Sequence, residues 1–439
     1  MRRKAHRIKV VSLAPLFLAW LLCIPQAVHA AGDFCIRLMA RVDQELSAIR
    51  PEFLAKHTVT YSHEVPVTAV KDQCSFDGCW VYGSMAHLES RVFQVTGKEV
   101  PLSEQYLLAQ NLQERALAAL EDIDSPVEQG GQFHLAEEIF RKHGLVPSAV
   151  WKPRIPFEKS PHANRFITFL NARISKFHID SASTGADIEA LKTQAKKDIQ
   201  ALFDVYIGPF PDEFDFNGVH YKSPQDFAGK LLPEEMHRKI VMVNVMDDGL
   251  PLELYKQEIK VEPPRDTIKP EVKPTAELTA KSTEGEPKPD TPMVVRFKNY
   301  RDVEKLIVSS IKDKITVPLS TEMVTEFIDR KTGIMSVGAF PVPEGFQPAP
   351  RAYRTQYNMP AGASHQMEIV GVDLDAQGRV IKYKVKNSYG TEFGLQGYLH
   401  MYPDYFNAYA KRIYLRERPP LLHRIVNFLD LRKSKAGKK

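Results

Sequence analysis

The chain has 439 residues, 43% hydrophobic and 26% charged, values of an ordinary globular protein with room for several packing units. That composition excludes a wholly disordered chain, a collagen-like fibre and a small disulfide scaffold. The formal charge of +5 belongs to the ends: residues 1–30 hold five basic residues and no acid, and the stretch from Arg416 to Lys439 holds eight basic residues against two acidic. Residues 31–415 are therefore mildly acidic, and the body offers no case for binding nucleic acid.

The N-terminus reads as an address. Basic residues precede an apolar run from Val10 to Ile24, and Val28-His29-Ala30 follows as a small-x-small cleavage pattern. These are the marks of a secretory signal peptide over residues 1–30, and they imply a periplasmic or secreted protein. The other reading is a retained N-terminal anchor, although the run is shorter than the roughly 20 residues a spanning helix needs. Export gives the cysteines meaning. Cys23 leaves with the signal, and Cys35, Cys74 and Cys79 remain. An odd number in an oxidising compartment leaves one thiol over for chemistry. Cys35 and Cys74 are one candidate disulfide pair, with their geometry left open.

Further along, Val81, Met85, Leu88 and Val92 stand at helical spacing within residues 79–96, and Gly97 is a stop. A second helix follows the capping candidate Ser103 to about Leu120. Gly130-Gly131 precede a third, with Phe133, Ala136 and Phe140 on one side and Gly144 ending it. Residues 162–206 read as mostly helical, interrupted at 181–185. From Glu262 to Pro292 the texture changes to seven prolines, many Lys, Glu and Thr, and no aromatic residue, which predicts a disordered loop. Strand-like and helical patterns resume at Val294.

The last pattern before the basic tail is a hairpin. Residues 365–374 and 378–387 flank Asp375-Ala376-Gln377, and Gly378 suits the left-handed position of a three-residue loop. In the second strand Ile381, Tyr383, Val385 and Asn387 share one face and Lys382, Lys384 and Lys386 the other, so the odd-numbered face is the expected core side. Closure over those three residues sets His365 opposite Asn387, within hydrogen-bonding reach on the buried face.

An imidazole held by a side-chain amide is an oriented base that needs something to act on. Cys79 supplies it at the start of a helix, where the partial positive charge favours thiolate. Gln73, six residues earlier, can donate to a developing oxyanion together with the Cys79 amide. Thiolate, imidazole, orienting amide and oxyanion donor make an acyl-transfer site. Each part alone also has a plain structural reading: buried packing for Cys79, a satisfied core residue for His365, a strand-end cap for Asn387, an ordinary loop residue for Gln73. No histidine pair stands at ligand spacing beside an acid, and three scattered cysteines make no zinc site, so neither metal nor cofactor is expected.

The run Gln73-Cys-Ser-Phe-Asp-Gly-Cys79-Trp80 resembles the nucleophile motif of papain-like cysteine peptidases, and Asn387-Ser-Tyr-Gly-Thr-Glu-Phe-Gly-Leu-Gln-Gly-Tyr398 resembles their Asn-Ser-Trp-Gly segment. The nearer match is the bleomycin hydrolase and aminopeptidase C branch. Its segments resemble Leu102-Ser-Glu-Gln-Tyr-Leu107, Gly130-Gly-Gln132, Gly144-Leu-Val-Pro147, the Phe214-Asp-Phe216 region and Asn299 to Pro318. The resemblance implies an α+β fold of two lobes with the site in the cleft between them. It also implies Cys79 as nucleophile, His365 as general acid and base, Asn387 as orienting residue, Gln73 as oxyanion donor, and Gly130 and Gly131 as the strip that binds substrate backbone. The expected organisation is a helical lobe over 31–160, a mostly helical insertion over 161–261, the loop over 262–292, a β lobe over 293–415 and a basic tail over 416–439. Peptides are the expected substrates, and a homo-oligomer is implied.

The chain departs from that pattern in places. Gln366 stands where alanine is common and should reshape the neighbouring substrate pocket, and Tyr389 and Phe393 replace tryptophans. In the branch the C-terminal arm lies in the cleft and restricts cleavage to free N-termini. Here the chain runs on through Pro419-Pro420 and a short apolar stretch to a Lys-rich end. The resemblance favours an aminopeptidase, and the alternatives are an endopeptidase of the same fold or a catalytically silent papain-like binding domain. Leu421, Leu422, Ile425, Phe428 and Leu429 also form one face of a candidate amphipathic helix for a partner or an anionic membrane, the alternative being a solvated, frayed end.

Overall fold

The computed structural model describes residues 48–158, 160–245, 293–296, 300–348 and 362–417. The expected signal peptide, Cys35, the 262–292 loop and the tail after Glu417 lie outside the described residues. Residues 48–57 and 338–343 belong to a small unit of their own, in which a one-turn helix, Pro51–Leu54, follows Arg50, and the Arg50 amide donates to the Ala339 carbonyl at 2.8 Å.

The larger unit holds two cores. Helix α1 runs Cys79–Thr96 and stops at Gly97, whose φ of 67° is left-handed. Val81, Met85, Leu88 and Val92 are all buried, as their spacing predicts. Helix α2, Glu104–Ala118, begins where the Ser103 side chain accepts from the Tyr106 amide at 3.3 Å. Helix α3, Phe133–His143, ends at Gly144 and buries Phe133, Ala136 and Phe140. Helices α4, Ser160–Ser181, and α5, Ile188–Tyr206, are separated at the expected interruption, and Asp187 caps α5 by accepting from the Ala190 amide at 3.0 Å. A hairpin of β2, Phe214–Phe216, and β3, Val219–Tyr221, leads to α6, Pro224–Leu231. Trp80, Leu107, Phe140, Phe166, Phe203 and Phe227 lie in one continuous cluster, so α4 to α6 share a core with α1 to α3.

The second core lies on a mixed sheet. Its strands are β1 (His63–Glu64), β4 (Ile240–Asn244), β5 (Met293–Arg296), β6 (Val317–Met323), β7 (Ile334–Met335), β8 (Ala363–Leu374), β9 (Val380–Lys386), β10 (Tyr398–Met401) and β11 (Ala410–Arg416). The order is β5-β4-β11-β6-β8-β9-β10-β7, with β1 paired to β8. Helices α7, Tyr300–Lys312, and α8, Pro403–Tyr409, pack beside it, with Val303, Ile307, Tyr405 and Phe406 in its core.

The hairpin forms, with a different register from the one read in the sequence. Asp375 accepts from the Gln377 and Arg379 amides through its carboxylate, at 2.9 and 2.8 Å, and closes a longer loop that ends with Leu374 opposite Val380. Gly378 does take the left-handed conformation, with φ 75°. Register shifts between Asp373 and Leu374 and between Ile369 and Gly371 carry the pairing to Ile369 opposite Val385 and Glu368 opposite Lys386. Continued past the end of β9, that register sets His365 opposite Tyr389, two positions beyond Asn387.

The face assignment also changes. Tyr383 and Val385 are buried, but Ile381 is 41% exposed, because the shift beside the turn lifts it off the core. Lys382 is instead 1% exposed. Its ammonium donates to Asp373 at 2.6 Å, to the Thr60 carbonyl at 2.9 Å and to the Thr58 hydroxyl at 3.1 Å, and lies 4.8 Å from the centre of the Tyr61 ring. Lys384 remains partly exposed and pairs with Glu64 at 2.5 Å. Two lysines with the same place in the pattern thus differ in energy. Lys382→Ala should destabilise the fold by about 2–4 kcal/mol, since it empties a packed site and leaves Asp373 with the Ser62 hydroxyl but no cation. Lys384→Ala should cost less than about 1 kcal/mol, as exposed pairs do. Urea unfolding of both variants checks this, and equal losses would contradict the assignment.

Candidate active site

Four elements meet around one cleft: the loop before α1, the start of α1, the near end of β8, and the turn after β9. The loop is stitched to the turn. The Gln73 amide donates to the Ser388 carbonyl at 2.8 Å, and the Ser388 hydroxyl donates to the Gln73 side-chain oxygen at 2.7 Å. The Gln73 side-chain nitrogen gives one hydrogen to the Phe76 carbonyl at 2.9 Å, which leaves a second for the cleft. Gly78 is the N-cap, so Cys79 is the first helical residue and the unpaired amides of that first turn surround its thiol.

His365 is buried on β8. Its Nε2 lies 2.8 Å from Asn387 Oδ1, and since that oxygen can only accept, Nε2 carries the proton. The expected pairing of these two residues is therefore made, although by another route. Asn387 stands just beyond the end of β9, where the Gly397 carbonyl accepts from its amide at 3.0 Å and the chain is free to turn its side chain towards the imidazole. Nδ1 is then the acceptor, and the Tyr389 hydroxyl donates to it at 3.2 Å. The two rings lie 4.5 Å apart at 31°, and Phe393 meets Tyr389 edge-on at 5.3 Å. Tyr389 thus covers the imidazole as an aromatic and also touches its free nitrogen.

Burial is the largest influence on both reactive groups. It pushes the Cys79 thiol up to about 11, with Asp77 acting in the same direction, against the amides of Gln366, Trp80 and Cys79 itself, which favour thiolate. The expected gain from the helix start is present but outweighed. Burial also brings the His365 imidazole down to about 4, opposed by its bond to Asn387. Taken singly, thiol and imidazole are both neutral near pH 7, and activation requires a proton to pass between them.

The cleft has a volume of about 400 Å³ and is lined by Gln73, Cys79, Gly130, Gly131, His365 and Gln366 among others. Arg115 secures the glycine strip by donating to the carbonyls of Glu128 at 2.8 Å and Gly130 at 2.7 Å, and Trp80 donates to the Gln129 carbonyl at 3.0 Å. A Cβ on Gly131 would stand 2.6 Å from two carbons of the Trp80 ring, so only glycine lets the strip lie against the indole. Cys74 and Cys79 are free thiols among the described residues, and Cys74 is exposed. The cleft also contains Ser320, Lys411, Arg412 and Tyr414, which the sequence reading missed. No local motif marks them, because strand pairing alone carries β11 to the site.

These elements and this cleft define a papain-like α+β fold. The solved structure of PepW from Lactobacillus rhamnosis shares it, with a TM-score of 0.66 at 18% identity over 93% of this chain and 94% of that one. The chain belongs to the Peptidase C1-like family, whose model matches residues 29–419. It is 25% identical over 307 residues to aminopeptidase C of Streptococcus thermophilus, covering 67% of this chain and 64% of that protein. It is 23% identical over 387 residues to cysteine proteinase 1, mitochondrial, of Saccharomyces cerevisiae, covering 81% of this chain and 76% of that protein.

The Tyr389 contact carries a consequence for reactivity. A hydroxyl donating to Nδ1 stabilises the neutral imidazole and so disfavours proton transfer from Cys79. Tyr389→Phe removes that donor, and alkylation of Cys79 by iodoacetamide at pH 7 should speed up by about 2- to 10-fold, with the rate profile moving towards acid. Unchanged or slower alkylation in a folded variant would contradict this role.

Proposed function

We propose that this chain is a peptidase that works through a Cys79 thiolate. The observation that carries the reading is the buried His365–Asn387 bond, made in the same cleft as a cysteine at the first position of a helix. In the proposed cycle the Cys79 proton passes to His365 Nδ1 as the Tyr389 hydroxyl gives way, and the sulfur attacks the peptide carbonyl carbon. The second Gln73 amide hydrogen and the Cys79 backbone N–H receive the negative oxygen. His365 returns the proton to the leaving amine as the C–N bond breaks, which leaves a thioester. Water, deprotonated by the same imidazole, then releases the acid and restores the thiol. Asn387 holds the imidazole tautomer throughout, and Gly130 and Gly131 present backbone to the substrate.

Aminopeptidase action is supported by the name of the Streptococcus relative. Endopeptidase action is favoured by a specific observation: among the described residues lining the cleft, Asp77 is the single acid, and the wall made by β11 presents Lys411 and Arg412. A free α-ammonium would find little there to hold it. We also propose export, on the basis of the basic, apolar and small-residue pattern of residues 1–30.

The test is labelling of the reduced mature protein with a papain-directed epoxysuccinyl inhibitor, with parallel assays on free and N-blocked fluorogenic peptides. The adduct is expected on Cys79. Cys79→Ala should lower turnover by more than about a thousandfold without unfolding the protein, and Gln73→Ala by about a hundredfold. A folded protein that neither takes the label nor cleaves any peptide would sink the reading. Cleavage of unblocked peptides alone would select the aminopeptidase, and cleavage of blocked ones the endopeptidase.

A further inference from the structure

The β11 wall of the cleft carries a positive charge, that of Arg412, which the catalytic cycle does not use. Its position follows from strand register. Arg412 on β11 is opposite Ser320 on β6, and Ser320 is opposite Gln366 on β8, whose backbone amide contacts the Cys79 sulfur. Two strand spacings set Arg412 about 10 Å from that amide. A bulge between Ala410 and Arg412 makes Lys411 an extra residue in the strand. Neighbours in a regular strand point to opposite faces, but here Lys411 and Arg412 both line the cleft.

Arg412 is held in place by neutral groups. Its Nε donates to Asn244 Oδ1 at 2.9 Å, and its Nη1 donates to Gln132 Oε1 at 2.8 Å, directly after the glycine strip. Tyr414 takes a further hydrogen bond from Arg412, and the three partners orient the guanidinium without cancelling its charge. Further donors of the fork remain for a ligand. Asp77 borders the cleft from the loop just before Cys79, whereas Arg412 stands on β11. The chemistry that matches the β11 wall is a carboxylate.

Chain dimensions say which carboxylate. A peptide lying along Gly130 and Gly131 places the Cα of the second residue before the cleaved bond about 5 Å from the reacting carbonyl carbon. A glutamate side chain spans the remaining distance. We propose that Arg412, with Lys411 beside it, makes the cleft select peptides that carry an acidic side chain at the second position on the acyl side of the cleaved bond. This deepens the peptidase reading and rests on it.

The experiment uses the mature protein and N-blocked fluorogenic peptides that share the residue at the cleaved bond and carry Glu, Leu or Lys before it. The Glu peptide is expected to exceed the Lys peptide in kcat/KM by about tenfold or more, with the ratio falling as salt is added. Arg412→Gln should bring the ratio to within about threefold, and Arg412→Glu should invert it. Because the ratio is taken within one preparation, a loss of folded protein does not alter it. Labelling rates of epoxysuccinyl probes bearing Glu or Lys give the same ratio without turnover. Reaction with Glu and Lys compounds at equal rates, or a ratio unchanged in Arg412→Gln, overturns the charge selection and leaves the peptidase standing. Absence of both cleavage and labelling in folded protein removes the peptidase reading, and this inference with it.

Discussion

The hydrogen bond from His365 Nε2 to Asn387 Oδ1 is the contact on which the reactive arrangement depends. It settles the tautomer, and the tautomer leaves Nδ1 as the nitrogen able to accept a proton. The bond needs β8 to extend to Ala363 and β9 to end at Lys386, so that one partner is clamped in the sheet while the other turns back from a strand end. Asn387 Oδ1 also accepts from the Ser388 amide at 2.8 Å, and its Nδ2 has no partner among the described residues. The amide is thus committed through its oxygen. A side chain with both ends engaged elsewhere could not serve the imidazole in this way.

The placement of Cys79 against His365 rests on a buried polar seam between α1 and its neighbours. Glu89 on α1 binds Lys71 at 2.5 Å and accepts from the Leu102 amide at 2.5 Å, and Lys71 also reaches Glu104 and the Leu102 carbonyl. Further along, His87 meets Thr316 at 2.9 Å and lies 3.8 Å from Glu368 on β8. Burial lowers both the His87 imidazole and the Lys386 ammonium beside Thr68. Taking so many polar groups out of water is costly, and apolar packing of the same volume would hold the helix at less expense. What the seam adds is direction. An apolar interface tolerates sliding, whereas these groups are satisfied in one register of helix on strand.

Much of the helical half was legible along the chain. The apolar spacing in α1, the Ser103 cap and the glycines that end α1 and α3 are local signals read from a few consecutive residues, and the helices form where those signals stand. The sheet was less legible. Both bulges in the β8–β9 hairpin, and the five-residue connection tied by Asp375, are choices between turns of similar energy that the residues at the tip do not settle. One consequence is that Lys382 is buried and Ile381 exposed, the reverse of the alternation. The candidate site divides in the same way. Gln73, Cys79, His365 and Asn387 were identified by their types and by segments of motif, whereas Tyr389 as a partner of Nδ1 emerges from the shifted register.

By itself the sequence determined the element types, the order of the reactive residues and the family to which the chain belongs, because capping, periodicity and short motifs are properties of neighbouring residues. Tertiary structure alone decided the protonation balance and the charge of the cleft. Burial, rather than the helix start, dominates the Cys79 thiol, and burial is a sum over every element that surrounds it. Arg412 comes to the site because β11 pairs with β6 and β6 with β8, pairings between residues 92 and 46 positions apart in the chain that no local pattern records.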